Sequence, residues 1–290
     1  MSLGSPSEAA VSASLLEGFS LEMTGKDVGA LEESAGVIPP GTRINVTFLG
    51  SESARMRREA ARAVRRLGFV PVPHLSARRL ASRGELEEFL RALRADGTGE
   101  RVFAVGGDPG SPQGPYPDAL SLVESGLLHQ YGVRHVGISG YPEGHPVIPG
   151  AVLWEALAAK ADALAARGLG GEIITQFGFD AGAVLAWIGE VRARGVGLPV
   201  RVGVPGPAGV RRLLSYAARF GVGTGAAVAR KYGLSLTRLM STAGPERFLA
   251  ALAAGYDPAR HGSVKVHFYT FGGLAATSRW VTAFGKESCA

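Results

Sequence analysis

The feature that most constrains this chain is a repeat of form. A short apolar run breaks at Gly or Pro, presents a polar or titratable side chain, and gives way to a stretch of helical periodicity. The alternation of apolar run and helical stretch recurs eight times, with a polar residue at seven of the eight strand ends. Periodicity places strands at Phe19 to Met23, Arg43 to Thr47, Phe69 to Val72, Arg101 to Val105, Val136 to Ser139, Glu172 to Thr175, Val200 to Val204 and Val264 to Phe268. Helices are expected over Glu52 to Leu67, Arg83 to Ala95, Pro117 to Tyr131, Ala151 to Arg167 and Ala181 to Arg194. Two or three more lie between Val210 and Ala254, and another closes the chain. Eight strands alternating with helices describe an α/β chain folded as a single (β/α)8 TIM-type barrel with extra helices before the last strand. An open doubly wound sheet would call for a GxGxxG turn after an early strand, and none is present. The domain expected is residues 18–290, behind a flexible N-terminal segment of residues 1–17.

Composition removes several classes of function. Hydrophobic residues make up 46% of the chain and charged residues 19%, which supplies an ample core. The net charge of +6 raises the question of nucleic acid. However, the arginines of Arg55 to Arg66 alternate with apolar positions at helical spacing, as on a solvated helix face, and no nucleic-acid-binding motif accompanies them. The lone Cys289 excludes an internal disulfide framework and a cysteine-ligated metal cluster. No apolar run reaches the roughly 18 residues of a membrane span, and no signal-peptide pattern opens the chain. A cytoplasmic protein that binds neither membrane nor nucleic acid is expected. A homo-oligomer is compatible with a barrel of this kind.

The polar strand ends carry the candidate chemistry: Glu22, Thr47, His74, Asp108, the group Tyr141, Glu143 and His145, then Gln176 and Tyr269. Taken singly, each has an ordinary structural role, such as a cap, a hydrogen-bonded strand residue or a core histidine. Taken together they fall where barrel enzymes assemble their sites, beyond the carboxyl ends of the strands. Gly106 and Gly107 precede Asp108, so backbone at that turn can approach a planar or phosphate-bearing ligand. Metal-ligand residue types occur, but neither HxH nor HExxH spacing does, and no metal is expected. The serine elbow GxSxG is also absent.

In these residues the chain resembles the methylenetetrahydrofolate reductase family, from roughly Phe19 to Phe284 and in the family's order. SLEM at Ser20 to Met23 is similar to its SFEFFP, INVTFLG at Ile44 to Gly50 to its VSVTYG, and VPHL at Val72 to Leu75 to its APHL. FAVGGDP at Phe103 to Pro109 is similar to its ALRGDPP, and GYPEGHP at Gly140 to Pro146 is nearly identical. IITQFGFD at Ile173 to Asp180 is similar to its ITQFFFD, and VHFYTF at Val266 to Phe271 to its HFYTLN.

The resemblance implies a barrel with FAD across its mouth, NADH or NADPH as hydride donor, and 5,10-methylenetetrahydrofolate reduced to 5-methyltetrahydrofolate. That reaction belongs to one-carbon metabolism and methionine biosynthesis. It implies Glu22 as the general acid that opens the folate ring, and Asp108 beside flavin and pterin. Gln176 would bind the pterin edge and Tyr269 the substrate. Thr47, His74, Gly106, Gly107, Tyr141 and His145 would line the flavin site, with Lys160 as its lysine. Three departures touch the flavin side: Thr24-Gly25 replaces Pro-Pro, Gly106 replaces the arginine of RGD, and Lys160 lies upstream of the family's lysine. They keep open a flavin-independent pterin reductase with direct hydride transfer from NADH, and a non-catalytic folate-binding homologue.

Overall fold

The computed structural model describes residues 8–220 and 242–287. The barrel strands are β1 (Ser20–Met23), β2 (Arg43–Val46), β3 (Val70–Ser76), β4 (Arg101–Val105), β5 (His135–Gly140), β6 (Gly170–Phe177), β7 (Val200–Pro205) and β8 (Val264–Tyr269). They form one closed parallel barrel in the order β1-β8-β7-β6-β5-β4-β3-β2. The connecting helices include α1 (Glu8–Leu16), α2 (Val28–Ser34), α3 (Ala54–Arg66), α4 (Arg83–Asp96), α5 (Ala119–Glu124), α6 (Leu127–Gln130), α7 (Gly150–Ala166) and α8 (Ala181–Ala193). Before β8 come α9 (Val210–Phe220), α10 (Glu246–Gly255) and α11 (Pro258–His261), and α12 (Leu274–Glu287) follows it. The helices expected between Val210 and Ala254 are met by α9 and α10. The remainder of that expectation, at residues 221–241, lies outside the described residues, as does Cys289. No helix among the described residues is long and apolar enough to cross a membrane.

The chain divides into two compact units. One holds Ser20–Gly140 and Ala151–Ile174; the other holds Tyr141–Gly150, Thr175 onward and the N-terminal stretch to Phe19. Within that N-terminal stretch, expected as a flexible segment over residues 1–17, Glu8–Leu16 form α1, with Leu15 and Leu16 buried.

Two strands run longer than the periodicity indicates. β3 continues past Pro73 to Ser76 although Pro71 and Pro73 lack N–H groups. It can do so because its pairing with β2 spans Val70 to Pro73, whereas its pairing with β4 starts only at His74. β6 extends to Phe177, which takes Gln176 into the strand.

Local signals explain the helices. Ser53 caps α3 by accepting the Met56 N–H, Ser82 caps α4 by accepting that of Glu85, and Asp180 caps α8 by accepting from Gly182 and Ala183. The face of α3 is not wholly solvated, contrary to the expectation for its arginines. Arg58 and Arg66 do make ion pairs with Asp96 and Glu32. Arg57, by contrast, shares the buried stripe with Ala60, Ala61 and Val64, and its guanidinium lies 3.4 Å from the centre of the Phe48 ring. Burial pushes its pKa down to about 10.

In the first unit the barrel interior packs Val72, Phe103 and Ile174 together. Phe103 fits because β5 carries Gly137 beside it: a Cβ at Gly137 would lie 2.7 Å from the ring. The floor of the same unit is charged, with Arg43 and Glu172 paired at 2.7 Å. Burial first, then Arg101, holds the His135 pKa below its ordinary value near 6.5. In the second unit His261 is buried and accepts the Asp257 N–H at 3.0 Å, and burial again lowers its pKa.

Two outcomes follow. Gly137→Ala overpacks a rigid ring and costs about 1–3 kcal/mol in denaturant melts, and a second change, Phe103→Leu, restores part of that loss. The lowered histidine pKa values mean that the unfolded chain binds protons which the folded one refuses just below pH 6.5. Stability is therefore full above about pH 6.5 and falls as pH drops toward the folded values. Melts across pH 5 to 8 show this slope, and His261→Gln flattens it.

Candidate active site

A parallel strand presents its last residues, and the loop that follows, at its carboxyl end, where side chains of the βα loops gather. In the first unit, Glu22 is the third residue of the four-residue β1, half-buried between the core residues Leu21 and Met23. Thr47 follows β2 directly. Its N–H donates to the Met23 carbonyl at 2.9 Å and its hydroxyl to the same oxygen at 3.1 Å, so the side chain is committed to the backbone beside Glu22. His74 sits inside β3 rather than beyond it. It is buried, 3.3 Å from Asn45 Nδ2 through Nε2, with its ring edge-on to Phe103 at 4.8 Å. Sequence reasoning missed Asn45, because an Asn within an apolar strand shows its partner only once β2 and β3 are paired.

After β4 the chain turns through Gly106 and Gly107 as expected. Gly107 has φ +94°, and a Cβ there would lie 2.2 Å from the buried Ser76 hydroxyl, which has no hydrogen-bond partner among the described residues. Only glycine serves at that point. Nothing lies within 4 Å of a Cβ built on Gly106, so the space that a side chain would fill there is open. Asp108 is exposed and paired with Arg79 at 2.6 Å. Lys160 lies elsewhere: it is on α7, at a helix position rather than a strand end, and buried. Burial lowers its pKa to about 8 against the attraction of Asp118, the N-cap of α5.

In the second unit the loop after β5 is a tight turn, with the Gly144 N–H donating to the Tyr141 carbonyl at 3.1 Å and Gly144 at φ +82°. This brings the Tyr141 and His145 rings edge to face at 5.3 Å. His145 Nδ1 accepts the Val147 N–H at 3.3 Å, and burial lowers the His145 pKa. Glu143 Oε1 accepts the N–H groups of Phe179 at 2.7 Å and Asp180 at 3.1 Å, and Asp180 in turn caps α8. The acids of YPEGHP and ITQFGFD therefore lock two loops together. Neither is free for chemistry, and no sequence signal separates such a clamp from a catalytic acid. The Gln176 Oε1 accepts the Phe177 N–H at 3.1 Å. Tyr269 ends β8, its hydroxyl donating to the Thr175 carbonyl at 3.1 Å and its ring packed against Phe177 and Phe271. The Phe271 ring stacks on Tyr216 at 4.0 Å, an aromatic surface that the sequence signalled only through the VHFYTF run.

A sequence model of the family described as methylenetetrahydrofolate reductase matches residues 32–217, well over half of the chain. The chain belongs to the methylenetetrahydrofolate reductase family. Similar folds occur in a Clostridium thermocellum protein that binds two copies of 5-methyl-5,6,7,8-tetrahydrofolic acid (TM-score 0.58, 11% identity, 93% of this chain and 94% of that one). They occur also in the dihydropteroate synthase of Thermus thermophilus in complex with 6HMPPP (TM-score 0.49, 15% identity, 92% of both chains). The dihydropteroate synthase of Burkholderia cenocepacia is a third (TM-score 0.46, 16% identity, 93% and 91%).

For this family member, the residues assigned to FAD offer open space at Gly106, while Gly107 stands against Ser76. No residue assigned to the flavin brings a free cation to a diphosphate: Lys160 is buried, Gly106 has no side chain, and the Thr47 hydroxyl is already bonded to Met23. The assigned set does not fit FAD as a whole.

Removing the Glu143 carboxylate leaves two backbone N–H groups without their acceptor. Glu143→Ala is expected to lose about 1–3 kcal/mol in denaturant melts, and Glu143→Gln, which keeps one oxygen, to lose less. Equal stability of both variants and the parent would show that the clamp contributes nothing.

Proposed function

We propose that this protein is a folate-metabolising oxidoreductase that reduces 5,10-methylenetetrahydrofolate to 5-methyltetrahydrofolate with a reduced nicotinamide dinucleotide. The observation that carries this reading is the family match over residues 32–217, to which Glu22, half-buried on β1 ahead of the matched residues, adds a candidate acid. Glu22 is the general acid: it delivers its proton to N10 of the folate, the bond from N10 to the bridging methylene breaks, and a 5-iminium cation forms. Hydride transfer places two electrons and a proton's nucleus on the methylene carbon, giving the N5-methyl group and the oxidised nicotinamide. Asp108, exposed after the two glycines, accepts hydrogen bonds from the pterin. The chain's part is positioning and one proton.

Direct hydride transfer from the nicotinamide is the route that the first unit favours. Its support is the state of the residues assigned to the flavin: Lys160 is buried, Gly106 has no side chain where the family carries an arginine, and the Thr47 hydroxyl is bonded to backbone. Passage of the hydride through bound FAD is the alternative route for the same reaction.

The purified protein is expected to oxidise NADH or NADPH when given methylenetetrahydrofolate, and to show no flavin absorbance between 350 and 500 nm, roughly the range of an oxidised isoalloxazine. Flavin bands that bleach with the nicotinamide and return with the folate would establish the alternative route. No turnover with either nicotinamide, with or without FAD, would overturn the reading. Glu22→Gln lowers kcat by about 100-fold or more while folate affinity changes little.

A further inference from the structure

The loops after β3 and β4 are tied together by hydrogen bonds centred on Arg78. The Arg78 N–H donates to the Gly106 carbonyl at 2.9 Å, and the Gln113 N–H donates to the Arg78 carbonyl at 2.9 Å. The Arg78 side chain reaches the carbonyls of Pro117 at 2.8 Å and Pro109 at 3.4 Å. Gly114 packs so closely that a Cβ there would lie 2.4 Å from the Leu80 and Ala81 carbonyl oxygens. The frame fixes the base of Arg79, the last residue of the short turn Ala77–Arg79.

From that base the Arg79 guanidinium lies across the backbone of Gly50, where a Cβ would stand 2.2 Å from Nη1. It then meets one oxygen of Asp108: Nε donates to Oδ1 at 2.8 Å, and Nη2 lies 2.6 Å from the same oxygen. The Arg79 side chain is 19% exposed and that of Asp108 73%. The second oxygen, Oδ2, takes no donor among the described residues. The arginine is thus the covered partner, and the carboxylate faces outward with one oxygen spoken for and one available. A surface ion pair contributes little to stability. A guanidinium held by backbone on one side, with its fork on one oxygen, has a different use: it holds a carboxylate in a single orientation.

We infer that Arg79 is the positioning residue for Asp108, turning Oδ2 toward the N–H donors of the pterin ring, so that folate recognition at β4 depends on an arginine that itself touches no substrate. This inference rests on the folate reading above. It also assigns a purpose to Gly50, whose missing side chain leaves room for the guanidinium.

The test measures the affinity of 5-methyltetrahydrofolate by calorimetry, together with KM and kcat for methylenetetrahydrofolate. The proteins are the parent, Arg79→Gln, Arg79→Lys, Gly50→Ala, Asp108→Asn and the double variant Arg79→Gln/Asp108→Asn. Arg79→Gln is expected to weaken folate binding and raise KM by about 10- to 30-fold, the scale of one charge-assisted hydrogen bond, with kcat within about threefold. Arg79→Lys recovers part of the affinity, and the double variant binds no worse than Asp108→Asn alone. Gly50→Ala displaces the guanidinium without changing any charge and reproduces the defect in milder form, so it decides the matter if Arg79→Gln fails to fold. Parent-like affinity in Arg79→Gln, or in Gly50→Ala when that variant decides, would overturn the inference, as would losses that multiply in the double variant. In either case a parent that binds and reduces folate leaves the proposed function standing. A parent that binds no tetrahydrofolate removes both.

Discussion

Two aromatic rings occupy space that a neighbouring strand leaves empty, and the interior of the barrel depends on that. In the first unit Phe103 of β4 lies against Gly137 of β5, at a distance that leaves no room for even one methyl group. In the second unit Tyr269 of β8 lies over Gly203 of β7, where a Cβ would stand 2.8 Å from the ring and 2.4 Å from the Thr175 carbonyl. Barrel interiors are filled by alternating large and small side chains, so each ring needs its glycine. The two contacts also orient candidate functional side chains. Phe103 carries the edge of His74, and the ring placed over Gly203 lets the Tyr269 hydroxyl reach Thr175.

Charge at the strand ends is used in two distinct ways. Some carboxylates are spent on backbone: Glu143 holds Phe179 and Asp180, and Asp180 starts α8. Backbone N–H groups at such loops need an acceptor, and an ionised acid supplies a strong one. Asp108 is different, since its partner is a side chain and most of its surface faces solvent. Acids of the first kind keep loops in place. An acid of the second kind is left to meet something else.

The same distinction separates the cations. Lys160 and Arg57 are both buried, and burial lowers the pKa of each, which removes them from the set that could meet an anionic group in solvent. Arg79 keeps its guanidinium at the rim but already has Asp108 as partner. Of these three cations, two are buried and the third is paired.

Much of the fold was legible because hydrophobic periodicity is a local property: all eight strands were found within a few residues, and the GGD turn after β4 stands where the sequence puts it. The errors came from pairing. The prolines of β3 read as a strand end, yet β4 begins to pair only beyond them, so His74 lies within the strand instead of at its end. Lys160, which the resemblance assigns to the flavin, is a buried residue of α7. By itself, the sequence determined the alternation of elements, the caps, the glycines that turns require and the family, since each depends on residue type and near neighbours. Only the tertiary structure decided which polar groups are consumed by backbone and which face outward. Hydrogen-bond partners such as Asn45 and His74, Glu143 and Phe179, or Arg79 and Asp108 are far apart in the chain and meet only when the strands are in register.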